Sequence, residues 1–227
     1  MATYVLVHGA WDGGWSWRGV ARDLQAAGHE VFTPTLTGHG ERVHLASPEI
    51  GLDTHIMDIV NMFRYEKLQD VTLVGISYGG MVITGVAERV PEQIKELIYL
   101  DAFVPHDGES MADLVTPEFW AALEQAAAQC GDGWRIPHTP PDADRRTCAL
   151  MKTAKQPLAV KNAAAARLRR TYVLHTGKPP DNPLKPVMER MAARAREAGW
   201  NYREMPWVHF PVLDKPHEVA SLLLESA

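Results

Sequence analysis

Val71-Thr72-Leu73-Val74-Gly75-Ile76-Ser77-Tyr78-Gly79-Gly80-Met81 is the stretch on which the fold turns. An apolar, partly β-branched run ends in Gly-x-Ser-x-Gly and passes into a helical pattern over residues 81–89. Strand, sharp turn and helix in that order form a nucleophile elbow, in which a serine on a strained turn is lifted clear of a sheet edge. Glycines at 75 and 79 are a mechanical requirement, because a Cβ at either place would meet the neighbouring strand or helix. Gly-x-Ser-x-Gly alone recurs by chance in loops; the flanking strand and helix give it weight.

Short β-branched runs surround this segment at residues 4–7, 31–34, 97–100, 172–174 and 201–205, with helical patterns between most of them. Past Asp53, residues Ile56, Ile59, Val60 and Phe63 share one helical face, and Gly28 stands at the C′ position of the first helix. This alternation predicts an α/β protein with a mainly parallel sheet of about six strands, helices on both faces. The first strand has no polar residue between Tyr4 and His8, so it is expected to be buried on both sides and central. From 105 to 168 the rhythm breaks. Helical patterns at 112–128, 145–152 and 158–168, without a convincing strand, predict a helical insertion, with Pro137, Pro140, Pro141, Asp142 and Asp144 marking a loop inside it. The expected division is a core of residues 1–104 and 169–227 and a helical cap of residues 105–168.

The chain has 227 residues, enough for one full-sized domain, with 46% hydrophobic and 22% charged residues. With 23 Lys+Arg against 28 Asp+Glu the net charge is −5, which gives no basic footprint for nucleic acid or an anionic membrane. Met1-Ala2-Thr3 leads straight into the first strand without a basic region or cleavage site, so a cytoplasmic location is expected. Cys130 and Cys148 have no metal-ligand spacing and are expected to stay reduced. The sequence leaves open whether the chain is a monomer or a homodimer.

An elbow serine needs donors for an oxyanion, and these are expected from the backbone N–H of Tyr78, next after Ser77, and of Ala10, after the first strand. The general base comes last in chain order, which leaves His209 and His217. His209 follows the last strand within a short loop and is preferred; His217, at the start of the terminal helix, reads as a solvated first-turn residue. His8 precedes the serine and reads as a loop-holding hydrogen-bonding group. The other histidines have loop, strand or helix-surface readings.

Taken together, Tyr4-Val5-Leu6-Val7-His8-Gly9-Ala10-Trp11-Asp12-Gly13-Gly14-Trp15, Pro34-Thr35-Leu36-Thr37-Gly38-His39-Gly40-Glu41-Arg42, Gly75-Ile76-Ser77-Tyr78-Gly79-Gly80 and Leu100-Asp101-Ala102-Phe103-Val104-Pro105 resemble the α/β-hydrolase branch of plant methyl esterases, hydroxynitrile lyases and their bacterial esterase relatives. The resemblance spans essentially the whole chain, strongest over residues 4–110. It implies an α/β-hydrolase fold with a helical cap and a serine hydrolase that requires no metal or cofactor.

Three departures stand out. Where the family commonly places an acid after the strand at 172–174, this chain has Lys178. The remaining acids are Asp181 in the following Pro-rich loop and Asp101 at the end of the strand after the elbow helix, a place resembling the acid position of haloalkane dehalogenases. Asp101 is preferred because the sheet fixes its Cα; either carboxylate could instead be a plain loop or turn residue. Asp12 stands where relatives often have histidine, either at the pocket mouth or as a solvated loop carboxylate. Phe210 follows His209 directly.

The expected chemistry is hydrolysis of a small or aryl carboxylic ester, with Ser77 as nucleophile, His209 as base and Asp101 as acid. Trp11, Asp12, Trp120, Trp134 and Phe210 are expected around the substrate, with Met111, Leu114 and Phe119 as further wall candidates or plain core. Competing readings are a cofactor-free lyase or cyclase using the same triad and a small-molecule binding protein on a hydrolase scaffold.

Overall fold

The computed structural model describes residues 1–138 and 145–225. Its strands are β1 (Thr3–Val7), β2 (Glu30–Phe32), β3 (Val71–Ile76), β4 (Ile94–Leu100), β5 (Arg135–Ile136), β6 (Ala149–Leu150), β7 (Arg169–His175) and β8 (Asn201–Met205). Its helices are α1 (Arg18–Ala26), α2 (Leu52–Tyr65), α3 (Gly79–Arg89), α4 (Met111–Leu114), α5 (Pro117–Cys130), α6 (Met151–Lys155), α7 (Ala163–Ala166), α8 (Lys185–Glu197) and α9 (Pro216–Leu224).

Six strands form one sheet in the order β2-β1-β3-β4-β7-β8, every neighbouring pair parallel. Alternate residues of each strand enter two different cores. Tyr4 and Leu6 of β1 pack with Val20 and Leu24 of α1 and with Val219 and Leu223 of α9. Val5 and Val7 join Ile56 and Phe63 of α2, Val82 and Val86 of α3 and Met188 of α8. Both faces are therefore covered, and β1 is buried as its composition requires, although β3 and β4 hold the middle and β1 stands one place from the edge. The polar strand β8 is the mostly exposed edge.

Gly28 has φ +86 just past α1, a left-handed C′ position that glycine fills without strain. On α2, Leu52, His55, Ile56, Ile59 and Phe63 form the buried stripe, while Val60 is only half buried.

Residues 105–168 depart from expectation in detail. The pattern at 145–152 does not form a helix: Ala149–Leu150 pairs antiparallel with Arg135–Ile136, and the helix begins only at Met151. Two ladder positions join the ribbon itself, and the bonds Thr147 N–H to Trp11 O (2.9 Å) and Trp11 Nε1–H to Ile136 O (3.0 Å) hold it against the loop after β1. Likewise the run at 158–168 is helical only over Ala163–Ala166. Pro140, Pro141, Asp142 and Asp144 lie outside the described residues. No described helix is long and apolar enough to cross a membrane.

Candidate active site

Four strand ends on one edge of the sheet deliver the polar groups. At the end of β3 the chain turns through Ser77, whose φ is +54, and enters α3. This turn exists because glycines remove side chains at the contact. A Cβ on Gly75 would lie 2.6 Å from Gly79 O, and one on Gly79 would lie 2.7 Å from Val7 O. Ser77 is further pinned by its N–H to Leu100 O (3.3 Å) and by Phe103 N–H to its carbonyl (3.1 Å).

The end of β4 supplies Asp101, also left-handed at φ +45 and fully buried. The loop after β8 supplies His209, four residues beyond Met205. Trp207 anchors that loop: it is fully buried, stacks edge-on against His175 (5.3 Å), and donates from Nε1 to Glu218 of α9 (2.7 Å).

These groups meet. His209 Nδ1 is 2.6 Å from Asp101 Oδ2, and His209 Nε2 is 3.0 Å from Ser77 Oγ. A ring nitrogen facing a carboxylate carries the proton, so Nδ1–H donates to Asp101 and Nε2 accepts from the Ser77 hydroxyl. Burial opposes the charge on Asp101, but the hydrogen bond from His209 and the electrostatic influence of His209, His175 and the Lys178 ammonium hold its carboxyl below the usual range. Asp181 is exposed in the turn before α8, away from this bond network. His217 lies in the first turn of α9 with its side chain 77% exposed, paired with Asp23 (2.5 Å).

Lys178 is the finding the sequence does not announce. Its side chain is 1% exposed, and Nζ lies 2.7 Å from both Asp101 oxygens and donates a third hydrogen bond to His175 O. Asp101 Oδ1 also accepts from the His175 N–H (3.1 Å). A lysine next to Gly-Pro punctuation looks like surface from sequence, and only the sheet brings position 178 to position 101.

Behind the elbow lies a layer of buried imidazoles. His8 donates from Nδ1 to Gly9 O (2.7 Å) and accepts at Nε2 from Leu36 N–H (3.0 Å). His55 Nε2 faces Thr37 O (2.9 Å), so its Nδ1 accepts from the Tyr78 hydroxyl (2.9 Å). His39 stacks edge-on between them, 5.6 Å from His8 and 5.2 Å from His55. Burial pushes His8 and His55 down to about 4 and the Tyr78 phenol up. The layer fixes the backbone on either side of Ser77: Ala10 lines the cleft beside it, and Tyr78 N–H belongs to the first turn of a helix, where amides have no intrahelical acceptor.

A cleft of about 330 Å³ opens over Ser77 and His209. Trp11, Asp12 and Phe210 line it, together with Phe119, Leu123, Arg146 and Leu184. Asp12 is not a solvated loop carboxylate: it is 3% exposed and accepts from Arg146 Nε (3.1 Å). Trp120 and Trp134 do not line the cleft. Phe119 and Leu123, four apart on α5, share the face turned toward it, whereas Trp120 is rotated away to pack under Lys155, 5.7 Å from its ring. Trp134 is covered by Arg135 (5.2 Å). Met111 and Leu114 are core residues. Arg146 has no local signature of a cleft residue, because the segment 145–152 carries a helical pattern in sequence and reaches the cleft only through the β5–β6 pairing.

A parallel sheet with helices on both faces and a serine on the strand-to-helix turn beside a histidine and a carboxylate defines an α/β-hydrolase. Residues 4–222 match the Alpha/beta hydrolase family, and the chain belongs to it. The carbendazim hydrolyzing esterase of Nocardioides sp. (strain SG-4G) is 39% identical over 242 aligned residues, covering 98% of each chain. Methylesterase 1 of Arabidopsis thaliana is 33% identical over 135 residues, 55% of this chain and 48% of its own length. An extracellular alpha/beta-hydrolase from a Paenibacillus species, described as sharing structural and functional homology with tobacco salicylic acid binding protein 2, has the same fold. Its TM-score is 0.85 over 99% of this chain and 98% of that one, at 24% identity. Within the family the chain stands in the methylesterase-like branch, among ester hydrolases.

Proposed function

We propose that the chain hydrolyses small or aryl carboxylic esters through an acyl-enzyme on Ser77. The observation that carries this reading is the position of His209, bonded at once to Ser77 Oγ and Asp101 Oδ2. In the forward step Ser77 Oγ attacks the acyl carbon while Nε2 takes its proton; the tetrahedral oxyanion is received by the N–H groups of Ala10 and Tyr78; Nε2 then returns the proton to the leaving alkoxide. Water repeats the sequence on the acyl-enzyme and releases the acid. Asp101 holds the Nδ1–H tautomer throughout.

Residues 105–168 act as the cap over this centre, with residues 1–104 and 169–227 as the catalytic core. Phe119 and Leu123 give the cleft an apolar wall suited to an aryl or short alkyl group, and the Asp12–Arg146 pair gives it one polar side. Cytoplasmic residence fits the free Cys130 and Cys148; the extracellular neighbour makes cell fractionation the check.

Labelling with a serine-reactive fluorophosphonate, followed by intact mass and peptide mapping, tests the mechanism. One adduct on the peptide containing Ser77, lost in Ser77→Ala, is expected. A panel of p-nitrophenyl and methyl aryl esters, with carbendazim included because of its named relative, then ranks substrates. No adduct and no ester turnover would overturn the reading.

A further inference from the structure

The ammonium of Lys178 stands on the carboxylate that faces His209, at the place where the resemblance leads one to expect an acid. All three of its hydrogens have acceptors: both oxygens of Asp101 and the carbonyl of His175. The loop carrying it is tied down, since Gly177 N–H bonds Trp207 O (2.8 Å) and a Cβ on Gly177 would lie 2.9 Å from that same carbonyl. Lys178 and His209 are thus held by one strand pair, β7 and β8, and converge on one carboxylate. Burying an ion pair is at best neutral for stability compared with apolar packing, so a pair with both side chains at 1% exposure or less beside a nucleophile calls for a role in the chemistry.

We propose that Lys178 is a positioning residue of the hydrolytic centre: it locks Asp101 with Oδ2 toward His209 and balances the charge of the carboxylate that His209 faces. This rests on Asp101 being the triad acid. The imidazolium formed during turnover faces Asp101 in a pair already neutral with Lys178, which favours return of the proton to the leaving group. Among the described residues, the other polar groups facing this assembly include Ser77 from the elbow, His175 and Tyr172 from β7, and in the cleft the Asp12–Arg146 ion pair together with His138, which hydrogen-bonds Arg146 (2.8 Å). Among the described residues Lys178 is the lysine or arginine in contact with Asp101.

The test is the pH dependence of p-nitrophenyl acetate hydrolysis, read at the isosbestic wavelength from pH 5 to 9 with circular dichroism recorded at each pH. The proteins are wild type, Lys178→Met, Lys178→Gln and Asp101→Asn. Lys178→Met is expected to lower kcat about tenfold or more with KM within about threefold, and to move the acid limb of kcat/KM upward by about one pH unit. Lys178→Gln, which keeps donors but no charge, is expected to recover part of kcat while retaining the shifted limb; that split separates positioning from charge. If both variants keep wild-type kcat and an unmoved limb while Asp101→Asn is severely impaired, the role of Lys178 is refuted and the triad stands. If Asp101→Asn itself is unimpaired, the assignment of the acid fails and this proposal with it. A chain that folds with neither substitution makes the pair a structural element and likewise overturns the proposal.

Discussion

Ser77 and Asp101 each stand one residue past a paired position of adjacent strands, Ile76 opposite Leu100, and both take left-handed backbone conformations at φ +54 and +45. Non-glycine residues rarely adopt that region, and a conformation held against its intrinsic preference marks a place where the surrounding structure insists on a direction. Here it aims two side chains from the sheet edge at one imidazole.

Ser77→Ala and His209→Ala should each reduce ester turnover by about 10⁴-fold or more, by similar amounts, with the fold retained, because nucleophile and base act as one unit. His217→Ala, which removes only an exposed pair with Asp23, should stay within a few-fold of wild type. Steady-state kinetics beside circular dichroism decides; a mild His209→Ala would move the base elsewhere.

For the acid, Asp101→Asn should lower kcat by about 10²–10⁴, the asparagine no longer fixing the tautomer that leaves Nε2 free. Asp181→Asn, altering an exposed turn, should be near neutral. The reverse ranking in matched kcat measurements would return the acid to the loop after β7.

Cyanohydrin cleavage should be absent. Hydroxynitrile lyases of the branch resemble one another in a threonine after the first histidine and a lysine after the last; here Gly9 and Phe210 take those places. A Cβ on Gly9 would come within 2.9 Å of the Phe210 ring, so the two positions are filled jointly and no ammonium awaits a leaving cyanide. Cyanide release from mandelonitrile above the uncatalysed rate contradicts this.

Trimming the cleft and trimming the core should part company. Phe119→Ala is expected to raise KM for aryl esters several-fold with a small change in Tm, whereas Leu123→Ala, at a side chain that lines the cleft and is also buried in the core, should raise KM and lower Tm together. Trp120→Ala should instead lower Tm by a few degrees and leave KM alone, since its ring packs against the core away from the cleft. Equal KM effects from all three would refute the orientation of α5.

Acid should destabilise the fold through the imidazole layer. His8 and His55 sit at about 4 in the folded protein, chiefly through burial, against about 6.5 in an unfolded chain. Between those values the unfolded state binds more protons, so stability is complete above about pH 6.5 and is lost as pH falls toward 4. Each ring accounts for up to about 3 kcal/mol over the whole window. Tm measured from pH 7.5 to 5 should fall below 6.5, and His55→Gln should flatten that slope; an unchanged slope argues that His55 is charged in the native state.

Patterns that depend on nearest neighbours along the chain were legible in the sequence. The glycines around Ser77 encode the elbow, the purely apolar 4–7 run encodes a strand buried on both faces, and Gly28 encodes the end of α1. Relationships set by the sheet were only partly so. Asp101 was reachable because a strand end fixes its Cα, while the engagement of Lys178 spans 77 residues and has no local signature. The central place expected for β1 went to β3 and β4 because burial on two faces tells that a strand is interior, not how far in. At 145–152 the helical pattern lost to pairing with residues 135–136, since segments this short are decided by tertiary partners more than by propensity.

The spacing between Ser77 and Asp101 is a matter of sheet register, for Ile76 and Leu100 are cross-strand partners and these two residues simply continue them. Part of the cleft wall comes from α5 and from the segment around Arg146, neither of which belongs to that sheet, and the rest from Trp11, Asp12, Leu184 and Phe210 in loops at the strand ends. Substitutions at Phe119 or Arg146 can therefore reshape one side of the cleft while Ser77, His209 and Asp101 keep their distances, so that part of the pocket's shape is separable from the reacting geometry along the length of the gene.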